Sequence, residues 1–168
     1  MKVGKRKLNP VVDPGFAPST SPGDPIASGK MPSGNYWTLW GWSERGQACI
    51  KDRVGSAVGS GGGGEGCGYQ LPISETEGMT ESDRLMDGVV TPAAARVALE
   101  RVDGALIDVL VVKPAAVPQF AFWITPMDMA SRFDAAIAYD AAGHELGRRR
   151  IDPPTEDFAI ETNQSPKH

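Results

Sequence analysis

Imidazole and thiol chemistry have little to work with in this chain, whose 168 residues include two histidines and two cysteines. His168 is the terminal residue. His144 stands beside a predicted turn with Glu145 next to it, and neighbours on a strand point to opposite faces, so the two cannot act together. A Ser-His-Asp site would have to be gathered from distant turns, which leaves His144 as an exposed turn residue and no catalytic residue to name. No C-x-x-C pair and no His/Cys group with zinc spacing occurs.

Long apolar runs are missing too. Nothing approaches the roughly 18 residues of a membrane span. The basic start, Lys2, Lys5, Arg6 and Lys7, leads into Asn9, Pro10, Asp13 and Pro14, where a secretory signal would continue with about 7–15 apolar residues. The protein therefore either stays inside the cell or begins here after a removed leader or anchor. Excess positive charge is absent as well. The net charge is −4, and residues 1–30 carry five Lys/Arg against two Asp, leaving −7 for the rest. That balance argues against a nucleic-acid partner, and the four N-terminal cations read as a solvated terminus.

Glycine and proline are plentiful, 20 and 14 residues, too many for a helical bundle and natural for short strands joined by tight turns. Residues 1–30, with Pro10, Pro14, Pro18, Pro22 and Pro25, lack hydrophobic periodicity and read as an extended linker. Residues 152–168 read as a tail in which only Phe158 and Ile160 would pack. Between them, 31–151 is predicted to form one antiparallel β-sandwich of immunoglobulin-like character with about seven or eight strands.

Period-two alternation carries that prediction. In 35–44, Trp37 and Leu39 share one face while Tyr36, Thr38, Trp40 and Trp42 share the other, and Arg45-Gly46 turns the chain into a strand over 47–53. The run 55–66, seven glycines in twelve residues, reads as a flexible loop. Short strands follow at 69–73 and 85–90, with an acidic connection over 75–83 between them. Asp103-Gly104 predicts a two-residue type I′ turn between arms 94–102 and 105–112, the second so apolar that it reads as a central strand. Strands at 120–125, 132–140 and 144–150 complete the set.

Four features invite a functional reading. Cys49 and Cys67, with 17 residues between them, would close a loop worth roughly 3 kcal/mol as a disulfide, stable in an oxidising compartment; buried free thiols are the alternative. The tract Gly59-Ser60-Gly61-Gly62-Gly63-Gly64 fits G-x-G-x-x-G, but Pro72 and no helical period follow, and a Walker lysine is missing. Glu75, Glu77, Glu81, Asp83 and Asp87 offer oxygen ligands for calcium without EF-hand spacing, so a solvated acidic loop is expected, with no metal and no cofactor. Trp37, Trp40, Trp42 and Trp123 are all the tryptophans. Because Trp37 and Trp40 have opposite parity, one ring should leave the core side, where it could contact a sugar or a protein, unless another segment covers it.

The order Ile26-Ala27-Ser28-Gly29, Trp37-Thr38-Leu39, Cys49, the glycine tract, Cys67-Gly68, Gly88-Val89-Val90, Ala95-Arg96-Val97 and Asp140-Ala141-Ala142-Gly143 resembles uncharacterised β-sandwich domains of exported or membrane-anchored proteins in high-GC Gram-positive bacteria. The resemblance covers about 26–150. It implies an extracytoplasmic context that suits the disulfide and brings no catalytic residues. The expectation is a non-enzymatic binding or structural module at the cell envelope, with a protein or envelope component as partner. A phage or virion decoration protein and a hydrolase with a loop-built site are the alternatives.

Overall fold

A computed structural model describes residues 23–80 and 82–151. Eleven strands form among them: β1 (Ala27–Lys30), β2 (Tyr36–Glu44), β3 (Gln47–Gly55), β4 (Glu65–Cys67), β5 (Thr76–Met79), β6 (Asp83–Val90), β7 (Arg96–Glu100), β8 (Leu106–Val112), β9 (Ala121–Asp128), β10 (Ala135–Tyr139) and β11 (Glu145–Arg150). They make two antiparallel sheets, a four-stranded one in the order β1-β2-β3-β4 and a seven-stranded one in the order β11-β10-β7-β8-β9-β6-β5. The chain is thus an all-β sandwich, with more strands than the seven or eight expected. The four residues of β1, assigned to the linker from sequence, pair along β2 instead. The N-terminal cations, Phe158, Ile160 and His168 lie outside the described residues.

Two cores explain the arrangement. One joins Trp37, Leu39, Ile50 and Val54 of the small sheet to Leu85, Val89, Phe122 and Ile124 of the large one. The other joins Met86, Val90, Ala121 and Trp123 to Val97, Leu99, Ala136 and Ala138 within the large sheet itself. Strands β6 and β9 therefore contribute alternate residues to cores on both sides, and β6 is buried at all eight positions. The large sheet bends back on itself at β8, whose first half, 106–109, pairs with β7 and whose second half, 110–112, pairs with β9. The reading of β8 as a central strand agrees with the order of the sheet, although the bend leaves part of it exposed. Leu106, Ile107 and Leu110 are exposed, Leu106 and Leu110 on the face opposite Val109 and Val111, which pack against the core.

Turn chemistry departs from expectation in one instructive way. Type I′ geometry belongs to Arg45-Gly46, where both φ angles are positive, 51° and 77°, and Glu44 faces Gln47. At the Asp103-Gly104 hairpin only the glycine has positive φ, and Gly104 N donates to the Arg101 carbonyl while Arg101 N donates to the Ala105 carbonyl. This is a three-residue connection with glycine in the left-handed position, the next commonest hairpin solution.

The glycine segment 55–66 is folded against β3 rather than looping free. Val54 N donates to Gly62 O and Gly62 N to Val54 O, Asp52 N to Gly64 O, and Gly59 N to Thr38 Oγ1. A side chain at Gly61 or Gly63 would enter the β3 backbone at Val54 or Asp52, so glycine is required at these positions because strand β3 lies against them. Residues 69–73 form no strand, and part of the acidic connection is the edge strand β5, paired along β6.

Candidate functional site

Strands β5 and β6 hold acidic side chains on both faces. Their register, Thr76 opposite Asp87 and Glu77 opposite Met86, puts Thr76, Gly78, Leu85, Asp87 and Val89 toward the small sheet, and Glu77, Arg84 and Met86 toward the other core. On β3 the same rule turns Asp52 inward with Ile50 and Val54. Asp52 and Asp87 consequently meet between the sheets, 2% and 0% exposed.

Donors are scarce there. Gly64 N donates to Asp52 Oδ1 at 2.7 Å, while Asp52 Oδ2 and both oxygens of Asp87 are buried without a hydrogen-bond partner. Gly78 closes over the pair, for a Cβ on it would sit 3.2 Å from Asp52 Oδ1. Burial first, and then the neighbouring Asp52 carboxylate, push the Asp87 carboxyl well above its ordinary range. Tyr69, its hydroxyl bonded to Thr76, is raised by burial and then by the charge of Asp87.

On the opposite face Arg84 is bonded to Glu77 at 2.6 Å and to the Ser131 carbonyl at 2.7 Å. Glu75 lies beside Glu77 and is pushed up to about 8, chiefly by burial and then by hydrogen bonding and repulsion from Glu77, against the pull of Arg84 and Arg149. It reaches a cleft of about 410 Å³ lined also by Tyr69, Pro72, Arg148 and Arg149. Arg148 is held by Glu145 at 2.6 Å. Glu75 can hold a proton at neutral pH, and it is the acid that water in the cleft can reach.

A pH dependence follows. Glu75 in the unfolded chain titrates near 4.5 and in the fold at about 8, so between these values the folded state binds the extra proton. Its stabilising contribution is complete below about 4.5, declines as the pH rises and is gone above about 8. Undiminished, such a difference is worth roughly 5 kcal/mol, and screening by water at a partly covered carboxyl leaves about 2. Asp87 acts in the same direction. In chelator, the melting temperature should be about 5 °C higher near pH 5 than near pH 8.5. Glu75→Gln should flatten that slope, and a curve that instead rises toward pH 8.5 contradicts the assignment.

The residues singled out from sequence are dispersed. Cys49 and Cys67 are bonded across the β3–β4 pair, their Cα atoms 4.0 Å apart. The tryptophans form no common surface: Trp37 and Trp123 sit in different cores, Trp42 is also buried, and only Trp40 is half-exposed. Lys51 lies 4.7 Å over the Trp40 ring, and burial, then Arg53, lowers its pKa. His144 is exposed, 3.3 Å from Asp140 within its own turn. Asp83 accepts from Ser33 and Asn35, and Glu81 lies outside the described residues. The glycine tract runs into β4, not a helix. Among the described residues, a trio with metal-ligand atoms within 4.8 Å of one another is Glu44, Cys49 and Cys67, whose sulfurs are committed to the disulfide.

Asp52 is absent from the candidates above, although the sequence carries a signal for it. It occupies the apolar parity of its strand, between Ile50 and Val54, as Asp87 does between Leu85 and Val89. An acid on the core side of two separate strands is a conspicuous exception to burial preference. No helix among the described residues is long and apolar enough to cross a membrane. No protein-family model, curated protein or solved structure matches the chain.

Proposed function

We propose that the chain is a non-enzymatic structural or binding module of an oxidising compartment, the cell envelope, and that it assembles with a second copy of itself through the corner strand β8. The observation that carries this reading is the surface of that corner, where Val102, Leu106, Ile107 and Leu110 are 66%, 41%, 40% and 53% exposed. Exposed apolar side chains of this size, on β8 and in the turn that leads into it, mark an interaction region. Residues 106–109 pair with β7 alone, which leaves their other backbone edge available. Antiparallel pairing of this half-strand with its own copy is two-fold symmetric and self-complementary. The neighbouring Arg96–Asp108 pair gives the face charges of both signs, which a two-fold partner can match reciprocally.

The compartment is supported by the Cys49–Cys67 bond and by the resemblance to exported, immunoglobulin-like sandwich domains of high-GC Gram-positive bacteria. A hydrolase gains no support from the buried pair, since Asp52 and Asp87 are closed to a substrate. Sedimentation velocity between about 10 μM and 1 mM should show a concentration-dependent dimer. Leu110→Lys, at an exposed position, should abolish it without lowering the melting temperature. A protein that stays monomeric across that range, or a variant that dimerises as well as the original, overturns the reading.

A further inference from the structure

We propose that the Asp52–Asp87 pair is a binding site for one hard divalent cation of the calcium and magnesium class. Three buried carboxylate oxygens, Asp52 Oδ2 and Asp87 Oδ1 and Oδ2, lack any donor. One shared proton serves two oxygens and leaves the third orphaned in a dry interior, at a cost of about 1–3 kcal/mol. A single divalent cation takes all three and balances both charges, and hard cations select carboxylate oxygens.

The surroundings fit such an ion. Asp87 is fully buried and directed at Asp52, not at solvent. Gly64 N holds the remaining oxygen, Asp52 Oδ1, the kind of outer hydrogen bond that orients a ligating carboxylate. Thr76 shares the Asp87 face, and the Tyr69 hydroxyl bonded to it supplies neutral oxygen nearby. The arginine of β6 does not compete, because Arg84 points to the other face and is held by Glu77 and Ser131. When the ion enters, any proton held between the carboxyls leaves to water, and both carboxylates remain as ligands.

The test uses the full, oxidised chain freed of metal by chelator and returned to chelator-free buffer near neutral pH. Calcium chloride and magnesium chloride are each titrated by calorimetry, and melting is followed with and without about 10 mM of the ion. For at least one of the two ions, the expected result is one ion per chain and a melting temperature raised by about 5 °C. Asp87→Asn and Asp52→Asn should each remove both effects. No shift and no heat with either ion on the original chain overturns the proposal, whatever the variants do. So does an undiminished response in a variant that melts cooperatively, because the ion would then sit elsewhere.

Discussion

Replacing Gly88 by alanine is expected to cost about 4 kcal/mol of stability. Gly88 lies on β6, and a Cβ there would fall onto the Ser74 carbonyl oxygen and the Trp123 indole nitrogen. Those two atoms are themselves joined, Trp123 Nε1 donating to Ser74 O at 2.9 Å in the buried interior. The methyl group therefore has to separate a hydrogen-bonded pair. Overpacking adds about 1–3 kcal/mol and the two stranded polar groups a comparable amount. Relief by moving 73–75 is obstructed, because Ser74 is also tied to Val89 by its backbone N–H and its hydroxyl. Urea unfolding measures the loss as a lower midpoint at unchanged slope. Gly62→Ala, with nothing within 4 Å of its added carbon, should change stability by less than about 0.5 kcal/mol. Equal costs at the two sites would show that backbone freedom, not space, sets the requirement.

Removing the Cys49–Cys67 bond should cost about 3 kcal/mol, and the loss should be local in its first stage. The bond closes a loop with a sequence separation of 18, and the chain-entropy estimate for such a loop is roughly 3 kcal/mol. Its location says which part loosens. Strand β4 has three residues, and the glycine segment before it is held by a few backbone hydrogen bonds to β3, too few to oppose its conformational entropy alone. In the Cys49→Ala/Cys67→Ala double variant the amides of Gly62 and Gly64 should exchange with solvent faster than those of β6 and β9. The Gly64 donor to Asp52 would be lost with them, so the variant should also bind a divalent cation more weakly. Uniform acceleration at all amides would mean that β4 is integral to global folding.

What the sequence made legible was the alternation. The face assignments of Trp37, Leu39, Tyr36 and Thr38 on β2 follow from parity, and the β2–β3 hairpin turns at Arg45-Gly46 as predicted. Parity cannot say what lies beyond a face. Thr38 and Trp42 point away from the inter-sheet core yet are buried, Thr38 beneath the glycine segment that donates to it. Low-complexity glycine resembles a linker in one dimension and is a close-packed strip in three. The apolar β8 is central, as its composition predicts, but the sheet bends there and leaves Leu106, Ile107 and Leu110 exposed while Val109 and Val111 pack inward. The acidic run around 75–83 read as solvated because charge is normally exposed; half of the buried pair, Asp52, comes from a strand distant in sequence, and one alternation pattern does not reveal cross-sheet contacts.

The bend at β8 has one more effect. It brings the two flanks of the large sheet toward each other, so that Glu75, next to β5, and Arg148 and Arg149 of β11 line the same cleft, and Gly147 of β11 lies close against Pro72. Unpaired flanks of a β-sheet are where foreign chains attach and amyloid-like stacking begins. Here one flank is acidic, the other basic, and each is turned toward its own opposite, so the sheet guards its flanks by near-closure while the corner strand stays open to a chosen mate.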